Sequence, residues 1–189
     1  EKRGFIPNAS VYDKAYRGSW NGLTIISISI GQGEVTATPL QIANLGATIA
    51  NRGYFYVPHV VKEIQNDNLD TLYTRRHYTM AHEDHYEYVV QGMRAAATGG
   101  TCRALAQYDF DACGKTGTAQ NRGRDHSVFM GFAPMDKPKI AVAVYVENGG
   151  FGATYAVPIG ALIMEDQAGG DEKIICVPLD KVDPFYTDT

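Results

Sequence analysis

The chain lacks any long apolar run. Nothing in its 189 residues approaches the roughly 20 consecutive apolar positions that a membrane-spanning helix needs. Cysteine is scarce too. Cys102, Cys113 and Cys176 are odd in number and share no C-x-x-C unit, which favours neither a disulfide framework nor a zinc site and leaves buried free thiols as the expectation. Basic charge is not in excess. With 17 Lys and Arg against 21 Asp and Glu the net charge is −4, so a nucleic-acid partner has no electrostatic support. No signal peptide opens the chain, but EKRGFIPNAS reads as mid-protein loop rather than a natural start, so this absence says little about location. What is present is ordinary core material. The composition is 44% hydrophobic with 12 Tyr and 7 Phe, enough for one domain or a large part of one.

Along the chain, the first twenty residues read as polar and irregular, and Leu23 to Ile30 is a β-branched run closed by Gly31-Gln32-Gly33. TPLQIANLGATIANRG has a sharp helix signature: Thr38 as cap, Pro39 at the first helical position, and Gln41 completing a capping box. Apolar residues on two faces predict that this helix is buried on most sides, with Gly53 after its end. Residues 54–79 read as an extended, partly exposed connection. A second helix is predicted from Tyr86, Val89, Val90, Met93 and Ala97, with Glu83 and Asp84 in its first turn, Arg94 near its end and Gly99-Gly100 as its stop. Three strands follow, at Ala112–Gln120, Ser127–Phe132 and Ile140–Glu147. The turn between the last two is too short for a helical crossover, so they must be antiparallel. Branched bulk alternates with alanine along the third, as in a strand sandwiched between helix layers. A last helix is expected over about 153–167, then an acidic tail from Gly169.

The stretch Ala112-Cys113-Gly114-Lys115-Thr116-Gly117-Thr118-Ala119-Gln120 carries the chemistry. Lys115 offers a fixed cation for a substrate carboxylate or for lowering the pKa of a neighbouring hydroxyl. Thr116 and Thr118 can donate hydrogen bonds to the same carboxylate, and Gly117 removes a side chain so that another backbone or a substrate can approach closely. The Thr118 N–H can point at a developing oxyanion, worth a few kcal/mol when preorganised. K-T-G alone is a weak signal, and a lysine on an edge strand also guards against edge-to-edge pairing.

The wider sequence is more specific. ISIGQG, TPLQIAN, ATIANRG, VVQGMRAAATGGT, GKTGTAQ, HSVFMGFAP and KIAVAVYVENGGFG occur in that order, and from about Gly4 to Glu165 the chain resembles the transpeptidase domain of class B penicillin-binding proteins, most of all the elongation type. The resemblance implies an α/β (α+β) fold, an antiparallel sheet flanked by helices, of which only the last three strands would be present. It implies peptidoglycan cross-linking: the serine of an S-x-x-K motif attacks the D-Ala-D-Ala bond of a stem peptide, releases D-alanine, and passes the acyl group to an amine on a neighbouring strand. β-Lactams acylate the same serine. By position, Lys115 is then the K-T-G lysine beside the substrate carboxylate, Thr116, Gly117 and Thr118 line the substrate, and the Thr118 N–H is half of the oxyanion hole. The partners implied are stem peptides, β-lactams and cell-wall elongation proteins. The implied location is the periplasmic face of the inner membrane, with an anchor preceding these residues. No cofactor or metal is expected.

The nucleophile is missing. Ser10, Ser19, Ser27, Ser29 and Ser127 are followed three places on by Asp13, Gly22, Ile30, Gln32 and Met130, none of them lysine. Ser10 reaches Lys14 at a spacing of four, read as turning the lysine off the serine's face. Ser19-Trp20-Asn21 matches S-x-N as text but lies too close to ISIGQG, and is read as a loop with a packed tryptophan. The expectation is that residues 1–168 are the C-terminal half of a transpeptidase domain and 169–189 a tail, inactive without the upstream half, with Ile140–Glu147 left as an open edge for self-association. The alternatives are a β-lactamase or DD-carboxypeptidase relative, or a non-catalytic penicillin sensor or scaffold. His82 and His85 are read as a solvated helix end, His126 as a hydrogen-bonding residue, and GQG and GGFG as turns.

Overall fold

The computed structural model describes residues 3–168; the tail and Cys176 lie outside the described residues. Three antiparallel strands, β3 (Cys113–Ala119), β4 (His126–Ala133) and β5 (Ile140–Val146), form the main sheet in the order β3-β4-β5. All three strands predicted from the sequence are present, with their ends within one residue. Before them come α1 (Ala9–Tyr16), α2 (Gly22–Ser29) and α3 (Pro39–Ala50), then β1 (Tyr54–Phe55), α4 (Thr71–Thr74), β2 (His77–Tyr78) and α5 (Glu83–Thr98). A 3-10 turn at Arg103–Gln107 leads into β3, and α6 (Ala156–Ala168) ends the described chain.

Alternation along the strands divides the core in two. Phe129, Val142 and Val144 pack with Ala156, Val157, Ala161 and Met164 of α6 on one face. Cys113 and Phe132 pack with Ile49 and Ala50 of α3 and Val90 and Met93 of α5 on the other. The α6 layer is close enough that a Cβ on Gly160 would lie 2.4 Å from the Phe129 ring. β5 therefore sits between helix layers, valines towards α6 and alanines towards α3.

α3 starts as its sequence dictates. The Thr38 hydroxyl accepts from the Gln41 N–H at 3.2 Å, and the Gln41 side chain accepts from the Thr38 N–H at 2.9 Å, with Pro39 at the first helical position. Burial is one-sided, however: Gly46, Thr48, Ile49 and Ala50 are buried while Leu40 and Leu45 are about half exposed (46% and 53%), because the sheet covers a single stripe. The opening is not irregular. Asn8 caps α1, and Asn21 caps α2, whose β-branched run is helical because both ends are closed. The 54–79 connection contains a two-stranded ribbon, β1 with β2. Arg94 sits short of the last turn of α5 and instead donates to Ala112 O at 3.0 Å and pairs with Asp111 at 2.5 Å, fixing the entry to β3.

Candidate active site

β3 is an edge strand, so one margin of it faces away from β4. Which groups face outward follows from one contact. The Gln32 side-chain amide donates to Thr118 O at 3.1 Å from outside the sheet. A residue's N–H and C=O lie on the same side of a strand, so the Thr118 N–H also points outward, and Gly117 turns inward to pair with Val128. The same alternation carried across the register makes Phe129 with Val144 a bonded pair and leaves the peptide groups of Ala143 and Tyr145 facing out on β5.

Lys115 is exposed at this margin, neither sealed inside nor remote from the sheet edge. Its Nζ folds back to donate to Thr116 O at 2.7 Å, leaving it in reach of a ligand. Lys115, Thr116 and Thr118 share this rim without sharing a face of the sheet. Alternation sends Lys115 and Gly117 to the α3 side and both threonines to the α6 side, so they meet only along the backbone margin. The Thr116 hydroxyl is tied to the Thr101 hydroxyl at 2.8 Å. A Cβ on Gly117 would meet the side chain of its strand partner Val128 at 3.2 Å. On the α6 side Gly152 lies tighter still: a Cβ would fall 2.5 Å from Val128 O and 2.6 Å from Gly117 O.

Beside this margin lies a cavity of about 540 Å³, lined among others by Gln32, Ile42, Gly117, Thr118, Val128 and Tyr145. Cys102 is buried against the strand. Burial pushes its thiol pKa up, against the opposing pull of Thr101, the Lys115 charge and the Thr116 N–H. Burial raises Cys113 to about 11. Both thiols are free, as expected.

Two serine hydroxyls, those of Ser29 and Ser127, are spent on internal hydrogen bonds. Ser127 is fully buried and consumed: it donates to Phe151 O at 3.0 Å and accepts from the Ala156 N–H at 3.1 Å. The Ser29 hydroxyl donates to Ile25 O within α2. Contrary to the sequence expectation, Ser10 and Lys14 lie on one side of α1, because residues four apart share a helix face. What discounts the pair is placement. Both are exposed, and α1 is tied to the segment after α2 rather than to β3, through Tyr12 and Tyr16 donating to Glu34. Asn21 of Ser19-Trp20-Asn21 is spent capping α2, and Trp20 donates to Asp13 while packing on Tyr12.

Among the other candidates, His82 caps α5, its Nδ1 accepting from the Asp84 N–H at 3.4 Å, and no group of three metal-ligating side chains exists among the described residues. His126 accepts from the Asn148 N–H at 3.0 Å and packs on Tyr145. No helix among the described residues is long and apolar enough to cross a membrane. Sequence reading missed Gln32 and Thr101. The available signal was two glycines flanking Gln32, which demand a special backbone and so a side chain placed on purpose.

Comparison with known proteins places the fold in a family. A family model described as "Penicillin binding protein transpeptidase domain" matches residues 7–165. The "Peptidoglycan D,D-transpeptidase MrdA" of Acinetobacter baumannii is 35% identical over 82% of this chain, which spans 26% of that relative. A crystal structure of Pseudomonas aeruginosa PBP2 in complex with WCK 5153 superposes with a TM-score of 0.75 at 35% identity, over 86% of this chain and 36% of that one. A complex of penicillin-binding protein PBP2 with MreC from Helicobacter pylori gives 0.70 at 25% identity, over 86% and 29%.

Proposed function

Because the chain belongs to the penicillin-binding protein transpeptidase family, we propose that it supplies the carboxylate-gripping margin of an elongation-type peptidoglycan D,D-transpeptidase whose nucleophile lies outside these residues. The observation that carries this reading is the outward-facing Thr118 peptide group beside an exposed Lys115 on an edge strand.

The roles follow from charge and geometry. In the reaction, a serine hydroxyl loses its proton to a neighbouring base and attacks the carbonyl of the penultimate D-alanine. The carbonyl oxygen becomes an oxyanion, the peptide bond breaks, and D-alanine leaves as an amine carrying the proton. An amine of a second stem peptide then attacks the serine ester, the serine–acyl bond breaks as the new amide forms, and the amine's proton returns through the base to the serine oxygen. Lys115 meets the terminal carboxylate of the substrate and supports the attacking hydroxyl electrostatically. Thr116 and Thr118 supply hydroxyl donors to that carboxylate, Gly117 keeps the approach open, and the Thr118 N–H supplies half of the oxyanion hole. A β-lactam carries a carboxylate and a strained amide in a similar relation and would acylate the same serine. The enzyme so described works at the periplasmic face of the inner membrane, anchored by sequence preceding these residues, among elongation proteins of the kind named with the Helicobacter relative.

The test is to titrate the isotope-labelled chain with a stem peptide ending in D-Ala-D-Ala. Amide shifts are expected at Lys115–Thr118 and should vanish in Lys115→Ala; shifts confined to other surfaces, or none at millimolar peptide, would overturn the reading.

A further inference from the structure

Gln32 is presented to β3 by the way α2 ends. Gly31 takes the left-handed conformation (φ 80°), the Gly31 N–H donates to Ile28 O at 3.0 Å, and the Gln32 N–H donates to Ser27 O at 3.1 Å. These are the two bonds of a Schellman motif, so the Gln32 backbone is locked by the helix cap. Gly33 also has a positive φ (74°) and turns the chain away afterwards. Both glycines flanking Gln32 are thus used to aim one side chain.

Its half-buried amide then spans β3 across 86 residues of sequence. Nε2 donates to Thr118 O at 3.1 Å and Oε1 accepts from the Gln120 N–H at 3.4 Å, the outward groups on either side of Ala119. On the other side of the window, Thr101 holds the Thr116 hydroxyl at 2.8 Å and the Thr116 N–H faces the Cys102 thiol. Between these two holds, the Thr118 N–H is the outward donor with no partner among the described residues.

We propose that Gln32 is a positioning residue for this margin: it fixes the Thr118–Gln120 backbone and closes the strand edge beyond Thr118, so that the Thr118 N–H stands alone as the donor offered to a ligand. An edge strand otherwise accepts a peptide along its whole length. Here the fork on Thr118 O and Gln120 N–H ends that register and holds the donor still. The role rests on the proposed transpeptidase reading, but the clamp itself can be judged without it.

The experiment has two arms. In the first, amide hydrogen exchange is followed on the chain itself. Gln32→Ala is expected to speed exchange at Gln120 by about tenfold, the scale of one lost hydrogen bond, while Val128 and Phe129 keep their protection. Gln32→Glu keeps the acceptor, so Gln120 should stay protected; this variant also serves where Gln32→Ala loses core protection. Unchanged exchange at Gln120 in a folded Gln32→Ala chain overturns the clamp. In the second arm, the full-length gene product is acylated with a fluorescent penicillin. Both variants should acylate roughly tenfold more slowly or worse, since neither can donate to Thr118 O, and Gln32→Glu would separate donor loss from loss of packing. A clamp seen by exchange with acylation unchanged overturns the positioning role alone. Failure of the unaltered protein to acylate overturns the transpeptidase reading, leaving the exchange arm to judge the clamp.

Discussion

At the residue scale, the site depends on a few atoms with no side chain in the way. Lys115 has no ion-pair partner among the described residues and spends its ammonium on a neighbouring carbonyl, so removing it should cost function rather than folding. Lys115→Ala in the full-length gene product is expected to slow penicillin acylation about 100-fold or more, with the melting temperature nearly unchanged; acylation kinetics beside a thermal melt would check both halves. Gly160 shows the opposite case. Glycine to alanine inside a helix ordinarily stabilises by roughly 1 kcal/mol. Here the added Cβ would sit 2.4 Å from the buried Phe129 ring, so overpacking wins and Gly160→Ala should destabilise by about 1–3 kcal/mol in denaturant titration. Cys113 gives a pH dependence. Burial raises its folded pKa to about 11, so above its ordinary value the unfolded chain loses the proton first. Stability is therefore full below that ordinary value and falls as pH rises towards about 11. Denaturation midpoints across that window measure it, and Cys113→Ala should flatten the slope.

At the scale of elements, what was legible in sequence was what short-range chemistry decides. The capping box Thr38-Gln41 with Pro39 placed α3 correctly, and alternation in Ile140–Val146 gave both the strand and its two neighbours. The α2 segment was opaque because its β-branched run looks extended until Asn21 and the Gly31 turn are seen closing its ends. One-sided burial of α3 was also hidden, since two apolar faces do not say which one a sheet will cover. The site was half legible: Lys115, Thr116, Gly117 and Thr118 could be named once the wider run of blocks gave the weak K-T-G signal its context, but the split of their side chains to opposite faces, and the Gln32 contact across 86 residues, are properties of the assembled sheet. The outer margin of β5 leads to a prediction at this scale. The peptide groups of Ala143 and Tyr145 face away from β4, an unguarded edge that invites pairing. The chain is expected to self-associate with rising concentration in light scattering, and Ala143→Pro should return it to monomer; a clean monomer of the unaltered chain at high concentration contradicts the idea.

At the scale of the whole molecule, the described residues form a three-stranded meander between helix layers, with an exposed lysine at one margin of the sheet and no serine followed three places on by a lysine. Ser127 is buried and doubly bonded, and the Ser10–Lys14 pair sits on a helix tied elsewhere. The chain spans only 26% of the length of its Acinetobacter relative. The measurement that tests this most directly is treatment of the 189-residue chain and of the full-length gene product with a fluorescent penicillin, followed by peptide mapping. The account predicts a covalent label in the full-length protein, on a serine outside these residues, and none on the chain alone. A stable adduct on any serine of the chain itself would contradict it.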